Sequence, residues 1–243
     1  MKISNKLAIK NILGLVFLMT INPANAQDAP KSNGFAVTTD LVSSYMWRGI
    51  AEESSKGGSP NVQPTITYVN GCSTTGVWGS TAFSGAIKEV DFYETVALSP
   101  LFSVTLTDDN WFFNKNYFNY KNAQTDHIFE GTLTYTGEKS FPLTVSANTM
   151  FYGDDKKEDG KSNAFSTYVE LDYPIASNVT AFLGSSLFDS PTVYYNSRFS
   201  VINLGVKVSK NVKISDSFTL PVYGIVGCNP QAEKAFFVAG ITL

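Results

Sequence analysis

The chain is short of charge, of cysteine and of histidine, and each shortage removes a class of protein. Charged residues make up 16% of its 243 residues, against roughly 25% in soluble domains. Disorder joins high charge to few aromatics, whereas aromatics reach 14% here, so the chain folds. Net charge is −3 and no Lys/Arg-rich stripe occurs, which argues against a nucleic-acid partner. One histidine and two cysteines cannot build the usual transition-metal centres, and no metal or other cofactor is expected. Two cysteines are also too few for a disulfide framework. After Ala26 no run of 18 apolar residues occurs, which excludes transmembrane helices. What the chain has instead is Ser, Thr, Asn, Gly, Tyr and Phe, a mixture suited to many short strands and tight turns.

The first residues read as a targeting segment. Lys2, Lys6 and Lys10, an apolar stretch from Ile12 to Met19 and the site Ala24-Asn25-Ala26 make a secretory signal peptide over residues 1–26. A membrane anchor is the alternative, but a spanning helix needs about 20 apolar residues. Cleavage would leave 217 residues and, with three lysines and no acid lost, a charge of −6. Residues 27–34 read as a short arm and 35–243 as a single domain.

That domain alternates. Phe141, Leu143, Val145, Ala147 and Phe151 share one parity while Thr144, Ser146, Asn148 and Tyr152 share the other, the period of a strand with one apolar face. Such runs between turn signals give twelve strands, at 35–47, 61–70, 74–83, 89–99, 101–113, 126–136, 141–152, 164–173, 179–188, 199–210, 218–228 and 234–243. Each approaches the roughly 10 residues of a tilted transmembrane strand. Connections after even strands are tight, as at Ser99-Pro100, and most after odd strands are longer, as at 48–60 and 114–125. Short periplasmic turns and long extracellular loops produce that alternation. The expected fold is all-β, a transmembrane antiparallel up-and-down β-barrel of about twelve strands in the outer membrane. Cys72 and Cys228 fall at opposite ends of it, so no bridge joins them.

With the apolar parity facing lipid, Asp40, Glu89, Asp91, Asp109, Glu130, Glu170, Asp172 and Lys207 face the lumen, and Arg48 lies at a rim. A basic residue on the lipid face would cost about 2–4 kcal/mol at the midplane. The excess of acid reads either as a selectivity wall preferring cations or zwitterions or as hydrated wall residues partly paired across the lumen. Trp78 points inward, and Trp78 and Trp111 are candidate constriction residues. Glu94 has the apolar parity of Phe92 and Val96, which calls for a bulge or another register. Pro64 and Pro221 weaken the ladder. Tyr45, Trp47, Trp111, Phe112, Tyr117, Phe118, Tyr120, Tyr194 and Tyr195 gather at extracellular strand ends, as an interfacial girdle or as a sugar-stacking surface. His127 faces outward beside Phe129 with no serine at a helpful spacing, so no triad forms and no enzyme is expected. The acidic run from Asp154 to Gly160 lacks a closing Glu and reads as a solvated loop rather than a calcium site.

Three segments, Val42-Ser43-Ser44-Tyr45-Met46-Trp47-Arg48-Gly49-Ile50, Gly76-Val77-Trp78-Gly79-Ser80-Thr81 and Lys88-Glu89-Val90-Asp91-Phe92-Tyr93-Glu94, resemble in order and spacing the TorF-like porins of Gram-negative bacteria. The resemblance covers residues 35–113. It implies an exported outer-membrane barrel, a pore whose solutes are mostly unassigned within the family, and it brings no catalytic residues. The long Trp111–Tyr120 loop departs from the family's pattern and is the candidate plug. The expected function is a monomeric porin contacting outer-membrane lipids and passing small polar solutes through a narrow, acidic lumen. The alternative is a non-conducting barrel whose extracellular loops bind a ligand or partner. A lipid hydrolase and a secreted β-sandwich are the remaining rivals.

Overall fold

The computed structural model describes residues 33–53, 58–111, 116–122 and 124–243. The expected signal peptide and residues 27–32 of the expected arm lie outside them, as does Phe112. No helix is present among the described residues. Fourteen strands follow in chain order: β1 (Gly34–Val42), β2 (Met46–Trp47), β3 (Ile50–Ala51), β4 (Asn61–Asn70), β5 (Ser73–Ala82), β6 (Lys88–Ala97), β7 (Phe102–Asn110), β8 (His127–Tyr135), β9 (Thr144–Gly153), β10 (Thr167–Ala176), β11 (Val179–Ser186), β12 (Ser200–Lys213), β13 (Thr219–Asn229) and β14 (Lys234–Thr242). β1 and β4–β14 form a closed twelve-stranded antiparallel barrel in sequence order, and β2 and β3 pair only with each other.

Closure is made by a short seam. Asp40, Leu41 and Val42 pair with Thr242, Ile241 and Gly240, and Ser43 extends the seam by donating its N–H to the Ala239 carbonyl at 2.8 Å. Pro64 has no N–H to give, and pairing of β4 with β5 lapses between Val62 and Thr65. Side chains bridge that gap, with Gln63 Nε2 donating to Ser80 Oγ at 3.3 Å and Ser80 Oγ to Asn61 Oδ1 at 3.2 Å. Pro221 pairs with Asn211 of β12, while pairing with β14 begins only at Val222.

The two faces of the wall divide as alternation requires. Phe35, Val37, Ile66, Phe92, Leu106, Leu133, Val226 and Phe237 are exposed on the outside. Asp40, Glu89, Asp91, Asp109, Glu130, Glu170 and Lys207 are buried on the inside, and Asp172 shares their parity. Glu94 does lie on the outer face, in an unbroken register against Leu106. It sits near the tight-turn end, where the Ser73 and Thr75 hydroxyls donate to it. Two bulges re-aim side chains. One in β9 opposite Phe129/Glu130 puts Phe151 and Tyr152 together on the outside, and one in β12 opposite Gly184/Ser185 turns Ile202 into the lumen.

The first strand is shorter than its alternation suggests. β1 ends at Val42 rather than at 47, and the chain then turns into the barrel as the β2–β3 hairpin. Its turn, Arg48-Gly49, has φ +48° and +78°, the positive pair that a two-residue type I′ connection requires. Glu52 N–H donates to Tyr45 O at 3.1 Å, which lengthens the hairpin by a rung. A barrel of eight strands is filled by its own side chains and one of sixteen is open; in this barrel of twelve the hairpin occupies the lumen at the long-loop end.

Candidate functional site

The hairpin lies as a lid against the inside of the wall, where its side chains are aromatic. Tyr45 lies 5.6 Å from Trp78 of β5, and Trp47 stacks on Tyr194 at 5.6 Å and meets Trp111 edge-on at 6.0 Å. All five are buried, in one cluster with Tyr93, Ile128, Met150, Tyr168 and Ile202. Tyr45, Trp47, Trp111 and Tyr194 therefore do not join the interfacial girdle expected for them. Burying them between lid and wall removes more apolar area from water than a place at the rim would. Trp78 and Trp111, the candidate constriction residues, both belong to this cluster. At the tip, Gly49 O accepts from Asn229 Nδ2 at 3.3 Å, and a Cβ on Gly49 would fall 2.0 Å from the carbonyl oxygen of Ile202. Beside the lid the free space bounded by Gln63, Trp78 and Asn203 measures about 40 Å³, room for a few waters.

Arg48 is inside the barrel rather than at its rim. Its Nη1 donates to Glu130 Oε2 at 2.6 Å and to Tyr194 OH at 2.6 Å, and its Nη2 donates to Glu130 Oε1 at 2.7 Å. The guanidinium also lies 4.6 Å from the Trp47 ring and 4.9 Å from the Tyr168 ring. A forked carboxylate with aromatic faces on a planar cation is the strongest ion-pair geometry available to arginine. Arginine in a left-handed turn costs about 1 kcal/mol relative to glycine, and this pairing offsets it. Glu89 and Asp91 of β6 and Asp109 of β7 continue the acidic wall beside Glu130, each at most 3% exposed. The Asn110 N–H donates to Asp91 Oδ1 at 3.1 Å.

Tyr194 is held over the lumen by a chain of hydrogen bonds that begins at Asp155, in the run that sequence reasoning assigned to a solvated loop. Asp155 accepts from Ser166 N at 2.9 Å and Ser166 Oγ at 2.6 Å, Ser166 Oγ meets Ser190 Oγ at 2.6 Å, and Ser190 Oγ accepts the Tyr194 N–H at 3.0 Å. Asp155 is 1% exposed and Lys156 4%, and Lys156 Nζ donates to Asn122 and Asn163. Only the tip from Lys157 to Ser162 is exposed. The signal available was the pairing of a lone inward acid with serines two loops away, which no local pattern reports.

The other lumen charges form separate groups. Lys207 Nζ lies 4.5 Å from the Tyr223 ring centroid and within the electrostatic reach of Asp40 and Asp172. Asp40 Oδ1 accepts from Thr242 Oγ1 at 2.6 Å and Oδ2 from Tyr223 OH at 3.3 Å, so the barrel seam and this charge group share residues. Glu170 accepts from Tyr168 OH and, at 2.9 Å, from Asn203 Nδ2.

Of the Trp111–Tyr120 loop, the candidate plug, Trp111 is buried in the lumen cluster. Residues 112–115 are outside the described residues, but 117–122 fold over the outer face. There His127 Nδ1 faces Asp108 Oδ1 at 2.7 Å, His127 Nε2 faces the Tyr117 carbonyl at 2.6 Å, and the Tyr120 ring stacks on the imidazole at 4.2 Å. Tyr152 OH donates to Tyr120 O at 2.8 Å. His127 is fully covered and both ring nitrogens face acceptors, so it fastens the loop and offers no nitrogen to a substrate. His127→Ala is expected to speed tryptic cleavage at the exposed Lys121 about fivefold or more, as one charge-assisted bond and one ring contact are lost, with the barrel's heat-modifiable gel shift unchanged. Equal cleavage rates would show that the loop is held elsewhere.

No three Asp, Glu, His or Cys among the described residues converge on a metal position, and Cys72 and Cys228 are free thiols at opposite ends of the barrel. No protein-family model matches the chain, and no curated protein matches its sequence.

Proposed function

We propose that the protein is an outer-membrane porin that passes small polar solutes through a narrow acidic lumen and rests closed under the β2–β3 lid. One observation carries this reading: a polar, charge-lined lumen is filled at its long-loop end by a hairpin that belongs to the connection after β1 and not to the wall. A permanently filled barrel would close equally well with apolar wall residues, yet the lid's tip is held by an ion pair. The apolar outer wall supports a lipid environment, the alternation of loop lengths supports an extracellular position for the lid, and the resemblance to TorF-like porins points the same way. The selectivity wall would be Glu89, Asp91, Asp109 and Glu130, with Arg48 as the latch and Trp78 and Trp111 as the constriction.

The test is single-channel recording of the refolded mature protein beside Arg48→Asn. Asparagine accepts the positive φ of position 48 and removes only the latch. Rare small steps in the wild type, frequent cation-selective steps in the variant, are expected. Silence from both folded proteins would favour the second reading, a closed barrel whose lid and loops bind a partner.

Opening is expected to depend on pH through the lid itself. Burial pushes Glu52 up from 4.5 to about 7, while the neighbouring Trp111 indole pulls it the other way. A raised carboxyl favours the seated lid when protonated, and that stabilisation declines as pH rises from 4.5 towards 7. Open probability should therefore be higher at about pH 8 than at about pH 5, and Glu52→Gln should flatten the Glu52 part of the profile. An unchanged profile in the variant would assign the dependence to other groups.

A further inference from the structure

The contacts of Arg48 describe a receptor as well as a latch. Without the lid there remain a forked carboxylate (Glu130 of β8), a phenol (Tyr194, in the connection after β11) and an aromatic face (Tyr168 of β10), the two tyrosines fixed from behind. Tyr194 is positioned by the Asp155–Ser166–Ser190 chain of hydrogen bonds, and Tyr168 by Glu170 and Asn203. Each of the three is at most 4% exposed. We propose that Glu130, Tyr168 and Tyr194 form a binding site for solutes bearing a guanidinium group, which Arg48 occupies as a built-in mimic when the lid is seated.

Three features select a guanidinium over a simple ammonium. Two donors from one planar group reach the two oxygens of Glu130 at 2.6 and 2.7 Å, which a single ammonium nitrogen cannot reproduce. The group lies over the Tyr168 ring at 4.9 Å, and stacking rewards a flat, weakly hydrated cation. The Tyr194 hydroxyl accepts one more N–H at 2.6 Å. Next to the site the described wall supplies Glu89, Asp91 and Asp109. Competition follows directly: an incoming guanidinium displaces Arg48 and frees the lid, so the solute that binds is the one that opens.

The inference rests on the pore reading for the solute's route, and the experiment separates the two. Arg48→Asn vacates the site while keeping the turn, with Arg48→Gly as the alternative if the first does not refold. The temperature of the heat-modifiable gel shift is measured with methylguanidinium or methylammonium. A loss in the variant, at least half recovered by methylguanidinium at concentrations on the order of 10 mM and not by methylammonium, is expected. The recovery should vanish in Arg48→Asn/Glu130→Gln. Equal shifts from both ions, no shift, or recovery that survives the second substitution would overturn the site. Recovery in a variant that stays silent in bilayers would keep the site and remove the pore; a conducting variant without recovery would do the reverse.

Discussion

Replacing Gly49 by valine is expected to open the barrel while leaving its wall intact. Two independent causes act at this position. The φ of +78° is one that a β-branched residue adopts at a cost of about 1–3 kcal/mol, and any Cβ would overlap the Ile202 carbonyl 2.0 Å away. Ile202 lies in the β12 bulge between Val201 and Asn203, which pair with Ser185 and Gly184 of β11, so the wall resists displacement more than the lid does. The lid yields instead, because its own ladder consists of the two pairs Met46–Ala51 and Trp47–Ile50. The backbone term alone moves the ratio of displaced to seated lid by about tenfold, at 1.4 kcal/mol per decade. Step frequency in bilayers should rise accordingly, and the heat-modifiable band should persist. A valine variant as quiet as the wild type would mean that the lid never leaves or that the lumen is blocked below it.

The barrel was legible because its governing rule is local. Period-2 alternation decides facing residue by residue, so Asp40, Glu89, Asp91, Asp109, Glu130, Glu170, Asp172 and Lys207 could all be placed inside from parity alone. The lid was not, because its residues obey the same rule. Tyr45 and Trp47 continue the spacing of β1, and nothing in Val42-Ser43-Ser44 says whether the chain goes on along the wall or bends across the lumen. That choice is made by partners far away in sequence: Tyr194 for Trp47, Trp78 for Tyr45 and Ile202 for Gly49. The turn itself was visible, since a glycine after Arg48 suits a two-residue hairpin. The outer clasp had a signal that went unread. If Asp109 points inward, Asp108 points outward on the same face as His127, and a polar pair on an apolar face calls for a cover, which residues 117–122 provide.

Glu130 carries the second large expectation, since removing it strands a cation. Arg48 and Glu130 have side chains only 10% and 6% exposed. Breaking a buried pair from one side costs about 3–5 kcal/mol, because the remaining charge keeps its desolvation penalty without its partner. Glu130→Ala should therefore lower the gel-shift temperature more than Arg48→Asn does, as Arg48 would remain between the Trp47 and Tyr168 rings with Tyr194 alone to receive its protons. Arg48→Met together with Glu130→Leu should recover most of that loss, since apolar groups of similar volume pay no such penalty. The same double variant should conduct no more than the wild type, because the lid stays packed by its aromatics with nothing left to release it. Stability and opening thus separate. If the pair served stability alone, the apolar double variant would match the wild type in every respect. If it is the release point of the lid, the double variant keeps its stability and loses its response to methylguanidinium and to salt.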